Sequence, residues 1–144
     1  MALALAQELR NHGFEQPSNI VLLSPWLDVT MTNPDIAAID SRDPILNLTS
    51  LKNAGVMYAR NLDLKNPLVS PLFGSLDHLA AITLFIGTND VLLADCQKLN
   101  GLAKSHGWHL NLLEYQNMVH DWMLLPMPEA NRVMDEIVTV LERR

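Results

Sequence analysis

Cysteine is almost absent from this sequence, which has only Cys96 among its 144 residues. A single cysteine excludes an internal disulfide, and no group of cysteines and histidines has the spacing of a zinc site. We therefore expect neither a structural metal nor a cofactor. The low cysteine count is compatible with a reducing compartment, and we predict a cytoplasmic location.

Basic residues and long apolar runs are also scarce. Ten Lys and Arg stand against 16 Asp and Glu, for a formal net charge of -6. An acidic chain without a basic run is a poor match for nucleic acid or an anionic membrane surface. No apolar run approaches the roughly 18 residues that a membrane span needs, so we expect no membrane span. The first residues lack the basic segment of a signal peptide.

Short apolar runs alternate with helical patterns along the chain. With 49% hydrophobic residues, a chain of this length forms one domain with a real core. The predicted strands cover 20–23, 82–86 and 109–115, and the predicted helices cover 1–12, 91–106 and 129–141. This order predicts an α/β protein whose three strands form a parallel sheet with flanking helices and right-handed crossovers.

A long irregular segment, residues 29–77, separates the first two strands. Within it we predict a helix from Pro44 to about Tyr58, with Asp43 as its cap and proline at its first position. Residues 67–72 are predicted to be extended and rich in turns. We interpret 29–77 as a cap-like insertion into the single domain.

Two polar residues follow the second and third predicted strands. Asp90 ends one apolar run, and His120 comes a few residues after the next. In open parallel sheets chemistry collects beyond the carboxyl ends of the strands. An aspartate there can orient a histidine and stabilise its imidazolium while the other ring nitrogen takes up a proton. The alternatives are a helix N-cap for Asp90 and plain solvent contact for His120.

Other candidates carry weaker signals. Trp26 and Trp122 follow strands on the same side as Asp90 and His120, and either line a substrate pocket or simply pack. We expect Asp95 to be solvated or to cap its helix, and Cys96 to be a small core residue. Ser24 follows a strand but lacks flanking glycines. It therefore lacks the sharp turn of a serine nucleophile.

Four segments, taken in order, resemble the C-terminal half of the hormone-sensitive-lipase-like esterases, an α/β-hydrolase family. They are Leu-Ser-Pro-Trp-Leu-Asp at 23–28, Ser-Pro-Leu-Phe-Gly at 70–74, Gly-Thr-Asn-Asp-Val-Leu at 87–92 and Met-Val-His-Asp-Trp at 118–122. The resemblance implies that residues 1–144 form a single partial α/β-hydrolase domain. It also implies that Asp90 and His120 are the acid and base of a Ser-Asp-His triad acting on a small acyl ester.

The nucleophile of such a triad is missing from the sequence. No Gly-x-Ser-x-Gly occurs in the 144 residues, nor does the His-Gly-Gly-Gly motif of the family's oxyanion hole. By resemblance, residues 1–12 look like the helix that follows the nucleophile, and we expect the chain to begin just after it. The family also tends to carry a second acid four residues after the first. Here Asp95 stands five residues after Asp90, which leaves a family role for Asp95 in doubt.

The resemblance predicts the C-terminal part of a serine esterase or lipase. We expect the isolated chain to be inactive, and to self-associate or to depend on an upstream hydrolase half. One alternative is a non-catalytic α/β module that binds or assembles with a partner. Another is a hydrolase in which Asp90 and His120 activate water.

Overall fold

The computed structural model describes residues 1–142. The helices and strands follow the predicted alternation, and their bounds are α1 Ala2–Asn11, β1 Asn19–Leu23, α2 Ala37–Asp40, α3 Leu48–Ala59, β2 Ala81–Gly87, α4 Leu93–His106, β3 Leu110–Tyr115 and α5 Pro128–Glu142. Helix α4 is capped at its C-terminus by Gly107, whose left-handed backbone (φ 71°) is one that glycine adopts without steric cost. Three short 3₁₀ turns lie at Pro34–Ile36, Pro71–Phe73 and Trp122–Leu124.

The three strands form one parallel sheet in the order β1-β2-β3, which confirms the predicted fold class. In the register of the sheet, Ile20 lies beside Ile82, and Ile82 beside Leu110. The central strand β2 is buried along nearly its whole length. This burial explains its continuously apolar sequence, because helices and the insertion cover both faces of the sheet.

The core lies on both sides of the sheet. On one side, residues of α1, α4 and the insertion pack against the strands and bury Leu84 and Leu99 completely. On the other side, α5 brings Val133 and Ile137 against Phe85 and Trp122. The apolar residues of α5 recur at helical spacing, so one stripe of this amphipathic helix faces the sheet.

The insertion differs in two ways from its prediction. The helix predicted from Pro44 begins instead at Leu48, because Asn47 caps it by accepting a hydrogen bond from the Ser50 amide. Residues 67–72 are rich in turns, as predicted, but they are not extended, since the chain turns after Asn66 and enters a 3₁₀ turn at Pro71–Phe73. The Asn66 side chain stabilises the first of these turns by accepting a hydrogen bond from the Leu68 amide.

Among residues 1–142, no helix combines the length and apolar character that crossing a bilayer requires. Strand β1 lies at one edge of the sheet, next to the surface formed by α1 and the insertion.

Candidate active site

Backbone hydrogen bonds join the loops that follow β2 and β3. The amide of Thr88 donates to the Tyr115 carbonyl at 3.0 Å, and the amide of Asn89 donates to the Met118 carbonyl at 2.9 Å. The Thr88 hydroxyl in turn accepts from the amide of Asn117, at 2.8 Å. These bonds fix the two strand ends relative to each other, and so position the residues that follow.

Gly87 makes the close approach of these loops possible. A Cβ atom built on Gly87 would lie 2.2 Å from the carbonyl oxygen of Met118, a distance that no side chain can occupy. The glycine is therefore required by the space between the backbones, not by its own dihedral angles.

The structure brings Asp90 and His120 together. Asp90 Oδ2 lies 3.0 Å from His120 Nδ1, within hydrogen-bond distance. The Asp90 side chain is fully buried, and 21% of the His120 side chain is exposed. The second oxygen of Asp90 accepts the amide of Leu92 at 2.9 Å, at the start of α4. Asp90 thus contacts the start of α4, as the alternative role of a helix N-cap would predict, and contacts His120 at the same time.

The surroundings of His120 favour its charged form. Burial lowers the pKa of His120, but the hydrogen bond and charge of Asp90 raise it, as do the charges of Asp121 and Asp43. The balance places the pKa of His120 above its usual value. With its proton on Nδ1 held by Asp90, the imidazole has Nε2 as its remaining site for proton exchange.

Asp121 contacts Nε2, the second ring nitrogen of His120. Its Oδ2 is 3.3 Å from His120 Nε2, so both ring nitrogens face a carboxylate. The backbone of Asp121 is left-handed, with φ of 50°. Its amide donates to Ser24 Oγ at 3.2 Å, and Ser24 itself follows β1 with φ of 40°. The left-handed turn accords with aspartate's tolerance of that conformation, but the contacts of Asp121 with His120 and Ser24 have no signal in the sequence.

Asp43, a residue of the insertion, contacts the loop that carries Asp90, and this contact was not predicted either. Its Oδ2 accepts the amide of Val91 at 2.8 Å, and its Oδ1 accepts the amides of Ile45 and Leu46. Asp43 therefore caps a local turn of its own segment, as aspartate commonly does. The contact with Val91 joins residues 48 positions apart, which no local pattern could have predicted.

The two tryptophans have different environments. Trp26 lines an apolar cavity of about 580 Å³ together with Ser24, Val29 and Tyr58. Trp122 is fully buried and packs with Phe85 and the stripe of α5. Of the two, Trp26 alone borders this cavity.

Asp95 is not solvated, contrary to expectation. Its side chain is 1% exposed, and its Oδ1 accepts a hydrogen bond from Asn33 at 2.9 Å. Burial raises the pKa of Asp95, against the lowering effect of the Asn33 bond. Cys96 is a fully buried core residue, as predicted.

In residues 1–142, no three His, Cys, Asp or Glu side chains are grouped as a metal site would require. The chemistry that the described arrangement offers is proton transfer at His120.

Comparison with known proteins agrees with this architecture. A family model described as alpha/beta hydrolase fold matches residues 1–124. An esterase from Acinetobacter venetianus is 28% identical over 141 residues, covering 95% of this chain and 46% of its own length. A solved esterase/lipase from an uncultured bacterium superimposes with a TM-score of 0.91 at 27% identity, over 97% of this chain and 47% of its own.

A further solved structure, a hormone-sensitive lipase from a metagenome library, gives a TM-score of 0.91 at 25% identity, over 96% of this chain and 48% of its own. The chain spans about half the length of the curated relatives it matches, with 46% of each of two covered. The sequence resemblance to hormone-sensitive-lipase-like esterases is thereby confirmed. The chain belongs to the alpha/beta hydrolase fold family.

Proposed function

We propose that this chain supplies the acid and the base of a serine carboxylic-ester hydrolase, with Asp90 as acid and His120 as base. The observation that carries the proposal is the 3.0 Å contact between a fully buried Asp90 carboxylate and His120 Nδ1. A buried carboxylate in that position fixes the tautomer of the imidazole and stabilises the imidazolium that forms during acyl transfer.

The reaction needs a nucleophile that is not among these 144 residues, since they contain no Gly-x-Ser-x-Gly. In the proposed enzyme a serine hydroxyl gives its proton to His120 Nε2 while its oxygen attacks the ester carbonyl. His120 then returns the proton to the leaving alcohol, which produces an acyl-enzyme. Water repeats the sequence with His120 as base, and the acid product leaves. Backbone amides outside this chain would hold the oxyanion, at about 2.7–4 kcal/mol for one donor.

The apolar cavity beside Trp26 suits the acyl chain of the ester. Its wall is mostly hydrophobic, and it opens next to Ser24, whose hydroxyl contacts the His120 loop through Asp121. Trp122 has no exposed surface. We therefore assign the acyl-pocket role to Trp26 and a packing role to Trp122.

A chimera tests the proposal. The part of the Acinetobacter venetianus esterase that matches this chain, 46% of that protein, is replaced by residues 1–144. Hydrolysis of p-nitrophenyl acetate by the purified chimera is then measured. We expect turnover, with a loss in kcat of about 10⁴-fold for Asp90→Asn and about 10⁶-fold for His120→Ala. Asp135→Asn on the exposed face of α5 is the matched control.

Two results would count against the proposal. One is a chimera with native-like thermal unfolding that hydrolyses no ester. The other is an active chimera in which His120→Ala retains the activity of the Asp135→Asn control. If the chimera does not fold, co-expression of the two halves as separate chains gives the same comparison.

A further inference from the structure

His120 has a second carboxylate contact that a triad does not require. In a Ser-Asp-His triad, one ring nitrogen contacts the acid and the other contacts the nucleophile. Here Nδ1 contacts Asp90 at 3.0 Å and Nε2 contacts Asp121 Oδ2 at 3.3 Å. A carboxylate of the same loop thus lies close to the nitrogen to which a serine hydroxyl would donate.

The backbone holds Asp121 in this position. Its left-handed conformation (φ 50°) costs a non-glycine residue free energy, and such conformations persist where surrounding contacts maintain them. One such contact is the hydrogen bond from the Asp121 amide to Ser24 Oγ, 97 residues earlier in the chain. The end of β1 therefore helps to hold the backbone of Asp121 beside His120.

We propose that Asp121 is a positioning residue for His120, and that its carboxylate charge, 3.3 Å from Nε2, favours a proton on that nitrogen. A carboxylate beside each ring nitrogen, hydrogen-bonded at Nδ1 and within ion-pair distance at Nε2, favours the imidazole form that carries a proton on both nitrogens. In this state His120 is an imidazolium and is not a base. The Asp121 side chain is 40% exposed, so it can turn towards solvent when another group takes its place.

The consequence for catalysis rests on the proposed function. A neutral His120 arises when the proton on Nε2 leaves to solvent and Asp121 turns aside. A serine hydroxyl then donates to the vacated nitrogen. Asp121 thereby shifts the appearance of the base to higher pH.

Within residues 1–142, the charged groups that act on His120 all raise its pKa. Asp90 approaches from the loop after β2, Asp43 from the insertion and Asp121 from the histidine's own loop. Burial opposes all three by disfavouring the imidazolium. Asp121 itself has a raised pKa, first because it is buried and also because Asp90 is near, while the charge of His120 lowers it. Asp121 is partly exposed whereas Asp90 is fully buried. A substitution at Asp121 can therefore remove the contact with Nε2 while Asp90 stays buried.

The test is an imidazole ¹⁵N NMR titration of the full 144-residue chain. His120→Gln identifies the His120 signals among those of the five histidines. In the unmodified chain we expect both His120 nitrogens to stay protonated above the usual histidine pKa of about 6.5. Asp121→Asn should shift the His120 midpoint to lower pH, and Ser24→Ala should shift it in the same direction by a smaller amount. Asp135→Asn, which removes one exposed charge from α5, should leave it in place.

The proposal is overturned if His120 titrates alike in Asp121→Asn and Asp135→Asn, or if its midpoint in the unmodified chain is at or below the usual histidine pKa of about 6.5. Should Asp121→Asn not fold, Ser24→Ala decides by the same criterion. No nucleophile is needed for this measurement, so its outcome is independent of the esterase assay. A shifted midpoint with an inactive chimera supports the Asp121 contact and rejects the proposed function, whereas an unshifted midpoint with an active chimera does the reverse.

Discussion

The amide of Val91 donates a 2.8 Å hydrogen bond to Asp43 Oδ2, so the insertion directly contacts the residue that follows Asp90. The insertion therefore forms part of the site as well as covering the sheet. It contributes an acceptor to the loop that carries the proposed acid, and a negative charge to the surroundings of His120. The site is assembled from three stretches distant in sequence, namely the insertion and the loops after β2 and β3.

Asp43→Ala should destabilise the chain by about 1–3 kcal/mol, because it leaves backbone amides without their acceptor. Urea unfolding followed by tryptophan fluorescence measures this loss. Asp63→Ala is the matched control, since Asp63 accepts an amide two residues on, in an exposed turn of its own. Equal losses in the two variants would show that the Val91 contact contributes nothing beyond the local turn.

Gly87→Ala should separate the two loops of the site. A Cβ at this position would lie 2.2 Å from the Met118 carbonyl oxygen, so the His120 loop must move. We expect a loss of about 1–3 kcal/mol in unfolding free energy and altered NMR signals for His120. Gly101→Ala is the control, because nothing lies within 4 Å of its Cβ and alanine favours a helix by about 0.5–1 kcal/mol over glycine. If Gly87→Ala is as stable as Gly101→Ala, the loops do not depend on that close approach.

The stabilising contribution of His120 should depend on pH. The pKa of His120 is raised in the folded chain, mainly through Asp90 acting against burial, so the folded state binds the proton more tightly than the unfolded state. This contribution is fully present below the unfolded pKa of about 6.5 and is lost as the pH rises through the folded value.

Urea unfolding of the unmodified chain and of His120→Gln, across a pH series from about 5.5 to 9, checks this dependence. The difference in unfolding free energy should be largest at the acid end of the series. A difference that grows towards high pH would contradict the sign. His12→Gln is the control, because His12 lies at the exposed end of α1, with 65% of its side chain exposed.

Much of the sheet and its helices could be predicted, because each strand is a short apolar run and each helix carries an apolar stripe. The pairing of Asp90 with His120 was also predictable, since parallel strands bring their carboxyl ends to one edge. The contacts of Asp43 with Val91 and of Asp121 with Ser24 were not. They join residues 48 and 97 positions apart through one polar atom each, and they leave no periodic trace in the sequence.

The burial of Asp95 was missed for a similar reason. A carboxylate in the first turn of α4 is typical of a solvated helix start, and its local sequence gives no other signal. Only the folded insertion brings Asn33 against it, 62 residues earlier in the chain.

The chain alone should not hydrolyse esters by a serine mechanism. It contains no Gly-x-Ser-x-Gly, and removing the nucleophile of a serine hydrolase costs about 10⁶-fold in turnover. p-Nitrophenyl acetate hydrolysis by the purified 144-residue chain, with and without an organophosphonate, measures this. Turnover above that of His120→Ala that the organophosphonate abolishes would refute the expectation.

The surface beside the edge strand β1 should make the chain self-associate. Leu5 of α1 is 59% exposed, and with Tyr58 and Leu68 it lines an apolar hollow close to that edge. Sheet edges and exposed apolar surface both recruit further chains. Light scattering at micromolar concentration should give a mass well above the 16.1 kDa of one chain, and Leu5→Lys should lower it. Leu124→Lys, at a 71% exposed leucine outside this hollow, should leave the mass unchanged. A monodisperse species of 16.1 kDa would contradict the prediction, as would equal effects of the two lysine substitutions.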